Sequence, residues 1–176
     1  MRQDHNVLLL GYRGAPQTIA VIKRAVHEAQ FKPVVRALAE DVTSYLASKD
    51  TLSEALAYYN LTLDRTRYMR DPRNIEYVRA PWVVAEQIQK GHVPGLDCDD
   101  MTTFLGGLVG VSGGEYRAVT VAFRNMFFRG QRQYSHVFGQ VREPRTNTWI
   151  TLDPVAGDKT KEMMSRVVAA KFWPIV

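Results

Sequence analysis

The sequence predicts an α+β fold, with helices packed on an antiparallel sheet, and three observations carry that prediction. Apolar residues recur at helical spacing in segments from Ile19 to Val109. After Gly113-Gly114 the period changes from 3.6 to 2. Two further strand-like runs, Tyr134 to Val141 and Thr148 to Asp153, flank a polar turn. Helices first and strands later is the order expected of helices laid on an antiparallel sheet. At 176 residues the chain reads as one domain with a full core. Residues 1–30 are expected to be an N-terminal extension, 31–155 the core and 156–176 a C-terminal tail.

In chain order, residues 1–16 are mixed and turn-prone, and are either an arm or a strand at Val7 to Leu10. Ile19, Ile22, Val26 and Ala29 mark a first helix. Pro33, suited to a first helical position, opens a second, whose stripe is Val35, Leu38, Ala39, Val42, Tyr45 and Leu46. Thr51-Leu52-Ser53-Glu54 reads as a capping box for a third, with Leu52, Leu56, Tyr59 and Leu63 inward. Residues 64–80 are charged and turn-rich. Pro81 opens a short helix over Trp82 to Lys90, and Gly91 to Gly95 is a loop. A helix from Cys98 to Val109 carries Met101, Phe104, Leu105, Leu108 and Val109 on one face. Gly106 and Gly107 inside it each cost about 1 kcal/mol against alanine, which implies a close neighbour there. Residues 116–123 alternate as a strand, and Glu162 to Ala170 reads as a terminal helix.

The net charge of +5 does not single out nucleic acid as a partner. The densest basic cluster, Arg124, Arg129 and Arg132 around Phe127 and Phe128, reads as a solvated hairpin rather than a phosphate-and-stacking patch. One cysteine excludes an internal disulfide. The short apolar run at Val7 to Leu10 is no secretory signal, and no stretch reaches the ~18 to 20 apolar residues of a membrane span. A cytoplasmic protein is therefore expected.

Cys98 differs from an inert core thiol in three ways. It starts a helix, where unpaired N–H groups and the macrodipole favour a thiolate. It lies on the register of Met101 and Leu105, facing the sheet. It is flanked by Asp97, Asp99 and Asp100. Asp97 suits the N-cap and Asp100 the N3 position. Their negative charge opposes a thiolate, so a reactive Cys98 needs a cationic partner. Of the four histidines, His5 lies in the arm, His27 on an amphipathic helix and His92 in a loop, whereas His136 lies on a strand. A two-residue turn at Pro144-Arg145 would pair Glu143 with Thr146 and, farther along, His136 with Asp153. A four-residue loop leaves those two as diagonal neighbours on one face, and an odd loop separates them.

Cys98, His136 and Asp153 thus suit a nucleophile, its base and the group that orients the base. The backbone N–H of Cys98 is a candidate for half of an oxyanion hole. Trp82, Gln87, Gln89 and His92 are candidates for the other donor. A metal centre is disfavoured, because there is no His-Glu-x-x-His and no second cysteine. No metal or cofactor is expected.

From about Val35 to Val155 the chain resembles the transglutaminase-like superfamily in its compact bacterial and phage-type members. The resemblance rests on Tyr68…Asp71-Pro72, Gly95-Leu96-Asp97-Cys98-Asp99-Asp100, the Gly110…Gly113 helix exit, Tyr134-Ser135-His136-Val137 and Trp149-Ile150-Thr151-Leu152-Asp153-Pro154. Leu96 replaces a glycine and Val137 an aromatic common in that family, but no reacting group is lost. The resemblance implies a papain-like core and a Cys98, His136, Asp153 triad. It implies a cysteine peptidase or amidase acting on a protein or peptide through a thioester, with hydrolysis favoured over transamidation because no second acceptor site is visible. The alternative is a non-catalytic structural or assembly protein, phage particle-associated, that retains the fold.

Overall fold

The computed structural model describes residues 5–9, 14–47, 49–72, 75–124, 126–128 and 131–176. Among these it has six α-helices and a four-stranded antiparallel sheet. The N-terminal segment is a strand, β1 (His5–Leu9), which pairs antiparallel with β3 (Ile75–Arg79). Leu10 lies outside the described residues. Helix α1 (Gly14–Ala29) follows, and its Ile19, Ile22, Val26 and Ala29 are buried as their spacing predicts.

Helix α2 (Pro33–Thr43) starts at its proline but stops a turn short of the predicted stripe. Thr43 Oγ1 turns back to the Ala39 carbonyl and Ser44 Oγ to Asp41, which ends the helix and leaves Tyr45 76% exposed. Helix α3 (Thr51–Arg65) is capped one residue earlier than the sequence suggested. Asp50, not Thr51, accepts from the Ser53 N–H and hydroxyl. The buried face is Ala55, Tyr58 and Thr62, so Leu56 and Leu63 face solvent. The small Ala55 and the Tyr58 hydroxyl, bonded to Ser112, set that rotation.

The charged stretch 64–80 holds two strands that the sequence did not announce. These are β2 (Arg67–Tyr68) and the β3 strand already described. β2 pairs in parallel with β4 (Gly95–Leu96), which begins on the last residue of the predicted loop. Between them runs α4 (Pro81–Gln89).

Helix α5 (Cys98–Val111) is central and buried almost all round. Phe104, Leu105 and Leu108 are fully buried, each contributing about 1.5–3 kcal/mol by removal from water. The close neighbours implied by its glycines are present. A Cβ at Gly107 would stand 2.7 Å from Pro81, and one at Gly106 would stand 2.8 Å from Tyr116.

The sheet order is β10-β5-β8-β9, from β5 (Tyr116–Phe123), β8 (His136–Glu143), β9 (Thr148–Leu152) and β10 (Val167–Pro174). The C-terminal helix is shorter than predicted. It spans only α6 (Thr160–Ser165), and the chain then turns into β10 along β5. Val167 to Ala170 fits either state locally, and pairing with β5 decides it. Tyr116, Ala118, Val137, Val141 and Leu152 face the helices, while Val119, Val121 and Phe138 pack together on the other face. A small hairpin, β6 (Phe127–Phe128) with β7 (Gln131–Arg132), lies where the basic cluster predicted one, and Arg124 and Phe127 are exposed. Arg129 lies outside the described residues. No described helix is long and apolar enough to cross a membrane.

Candidate active site

Cys98 is the first residue of α5, and it is half-buried against the core. Asp97 caps the helix, its Oδ1 accepting from the Asp100 N–H at 3.3 Å. Asp100 takes the predicted N3 position but also does something else. Its Oδ1 accepts the Arg79 N–H at 2.5 Å, and Arg79 Nη1 donates to the Gly95 carbonyl at 2.7 Å. These bonds tie β3 and β4 to the Cys98 end of the helix. Burial and the charge of Asp97 push the Asp100 carboxyl up to about 7. Asp99 is also buried and raised well above the usual carboxylate range, by burial first and then by Asp97. One oxygen of each of Asp97, Asp99 and Asp100 lies within 4.8 Å of the others, and Asp99 Oδ2 has no hydrogen-bond partner. Among the described residues this is the one group of three His, Cys, Asp or Glu side chains close enough together to share a cation.

His136 opens β8, and its Nε2 lies 2.7 Å from Asp153 Oδ2. Asp153 follows the end of β9 and is 1% exposed. Its other oxygen accepts the Val155 and Ala156 N–H groups at 3.1 Å each, which fixes the carboxylate plane. The Tyr59 hydroxyl reaches its carbonyl at 3.4 Å. The β8–β9 ladder pairs Glu143 with Thr148 and Gly139 with Leu152, so the loop has four residues. The two-residue turn at Pro144-Arg145 is overturned, and His136 and Asp153 are the diagonal neighbours a four-residue loop allows. Glu143 builds that loop by accepting from the Arg145 and Thr146 N–H groups, and Asn147 closes it with a positive φ of 57°.

Helix α5 packs against β8, and three residues lock that contact. Thr102 Oγ1 lies 2.7 Å from the Cys98 carbonyl and 3.3 Å from the Val137 carbonyl. One hydroxyl therefore touches the backbone of the cysteine and that of the residue beside His136. The Tyr116 hydroxyl donates to the Thr102 carbonyl at 2.8 Å, and its ring passes over Gly139, where no side chain could stand. These positioning residues were not picked out from sequence. The signal was a glycine inside a strand, a mark of close approach.

The remaining candidates lie on α4 and the loop that follows it. Trp82 sits under Lys32, whose Nζ is 4.6 Å from the ring centroid. Gln87 has a buried Oε1 without a hydrogen-bond partner, while Gln89 and His92 are exposed.

No family model and no curated protein matches the sequence. Solved structures do match its fold. A "putative protease" from Parabacteroides distasonis aligns over 82% of this chain with a TM-score of 0.52 at 9% identity. A "putative cysteine protease" from Cytophaga hutchinsonii aligns over 78% with a TM-score of 0.49 at 13% identity. The chain spans 28% and 41% of those proteins' lengths. The first likeness places the α+β architecture among folds found in that protein.

Proposed function

We propose that the chain is a cysteine-dependent peptidase or amidase in which Cys98 is the nucleophile, His136 the base and Asp153 the group that orients it. One observation carries the reading: a nearly unexposed carboxylate holds His136 by Nε2 at 2.7 Å, on the strand that packs beside the helix begun by Cys98. With Nε2 engaged, Nδ1 is the ring nitrogen left to take the thiol proton. The carboxylate then stabilises the imidazolium that forms. The thiolate attacks an amide carbonyl carbon, and the Cys98 N–H, at the positive end of α5, is one donor to the resulting oxyanion. The imidazolium returns its proton to the leaving amine, which departs as the thioester forms. Water, deprotonated by His136, then releases the acid and regenerates the thiol. A protein or peptide is the substrate class supported by the likeness to a protease fold. Hydrolysis is favoured over transfer to a second amine.

Cleavage of a peptide library, with and without added amines, tests the reading. Cys98→Ala should abolish turnover and leave the thermal midpoint nearly unchanged. Asp153→Asn keeps the oxygen that the 155–156 turn needs but offers His136 an amide, and should lower kcat by about 10²- to 10⁴-fold. Turnover surviving in Cys98→Ala, or iodoacetamide labelling of Cys98 no faster than that of a free thiol at neutral pH, would overturn the mechanism.

A further inference from the structure

The sheet face opposite the helices carries a second organised cluster of side chains, centred on Arg117. Arg117 on β5 lies flat between two rings, its Cζ 4.0 Å from the Trp149 centroid and 4.4 Å from that of Phe172. Its Nε donates to Gln140 Oε1 at 2.8 Å, and Gln140 Nε2 in turn donates to Thr151 Oγ1 at 2.9 Å. Residues from all four strands therefore fix one guanidinium, with both faces and one edge used. Its Nη groups have no carboxylate partner among the described residues. Partial burial draws the Arg117 pKa below its ordinary value, so this is a cation stripped of some water and given no counter-charge.

Arg142, on the same face of β8, makes the contrast. It is bonded twice to Glu115, at 3.0 and 2.8 Å, within its own chain. Arg117 lacks the equivalent. Phe172 is 53% exposed, so the sandwich opens to solvent. Trp, Phe and Arg held together on an exposed face are also the residues that dominate protein–protein interfaces. We infer that the Trp149–Arg117–Phe172 sandwich docks a carboxylate of an acidic peptide segment on a partner protein. A planar fork fits a carboxylate with two parallel bonds. Because the guanidinium is already held, little side-chain freedom is lost on binding. Gln140 lies four residues along β8 from His136, and Trp149 four residues along the chain from Asp153, about 13 Å each at strand rise, so the sandwich is offset along the sheet from the proposed reaction centre.

Hexaglutamate and its uncharged counterpart hexaglutamine are suitable probes, titrated into the ¹⁵N-labelled protein. The expected result is saturable shifts of the Trp149 indole and Arg117 Nε–H resonances with hexaglutamate only. Arg117→Gln should weaken binding at least tenfold. Arg117→Lys, which keeps the charge and loses the fork, should weaken it at least threefold. Arg124→Gln, an exposed cation elsewhere, should leave affinity unchanged. If Arg117→Gln fails to fold, Trp149→Leu replaces it, with the same tenfold loss expected at Arg117 Nε–H. The inference is overturned by an absence of saturable shifts up to millimolar hexaglutamate, by equal affinity in the Arg117 variants, or by an equal loss in Arg124→Gln.

Discussion

Gly139→Ala tests the lock between α5 and the sheet most directly. A Cβ at position 139 would stand 2.6 Å from Tyr116 Cε2 and closer still to the hydroxyl. Non-bonded carbons settle at about 3.5–4.0 Å, and Cζ is nearer than Cε2, so the overlap is more than about 1 Å. The ring has nowhere to go. It is fully buried, and Gly106 already accommodates its opposite edge. Overpacking of this kind costs about 1–3 kcal/mol. If the ring moves, the buried bond to the Thr102 carbonyl is lost as well, at about 1–3 kcal/mol. Urea unfolding should therefore show a loss of about 3 kcal/mol. Tyr116→Phe removes the atom in worst conflict, so Gly139→Ala should cost at least about 1 kcal/mol less in that background. A loss below about 0.5 kcal/mol in the parent, or strict additivity in the cycle, would refute the steric argument. On the proposed reading, turnover at temperatures where the variant is still folded should fall too, because the same contact seats Cys98 beside the His136 strand.

Two other perturbations have clear signs. Asp100 has a folded-state pKa of about 7 against 3.8 for the free group. Its protonation therefore favours the folded state fully below pH ~4, and that stabilisation is lost as pH rises through 7. The thermal midpoint should fall from pH 5 to pH 8, by up to a few kcal/mol of stability. Asp100→Asn keeps an oxygen for the Arg79 N–H and should flatten the slope; an unchanged slope would remove Asp100 as its source. At the start of α3, Asp50→Ala should lower the midpoint by a few degrees while Thr51→Ala leaves it unmoved, and the reverse order would restore the threonine cap.

Legibility from sequence followed how local the deciding force was. Pro33, Pro81 and the Asp97 cap act within one turn, and the starts of the helices they open were readable to the residue, while the ends were not. The α3 face was misread because leucines were counted as inward, whereas a buried tyrosine reaching Ser112, distant in the chain, sets the rotation. β2, β3 and β10 are made by partners far along the chain, and nothing in their own composition outweighs a turn or helix reading. At the candidate site the His136–Asp153 bond was anticipated through strand alternation alone, which survives a change of loop length by two. The Thr102–Tyr116–Gly139 lock was not, because it depends on which ring crosses which backbone. A guanidinium flanked by rings from two other strands was equally beyond reach.

The Thr102 hydroxyl has a kinetic consequence. It lies against the carbonyls of Cys98 and Val137, whose strands and helix close only through contacts far apart along the chain. Until that docking is made, the thiol and the imidazole belong to separate pieces of a partly folded chain. On the proposed reading, such a chain would carry a cysteine of ordinary reactivity. Onset of rapid alkylation during refolding would then mark the last long-range closure rather than the first collapse, a built-in delay before the thiol can do harm.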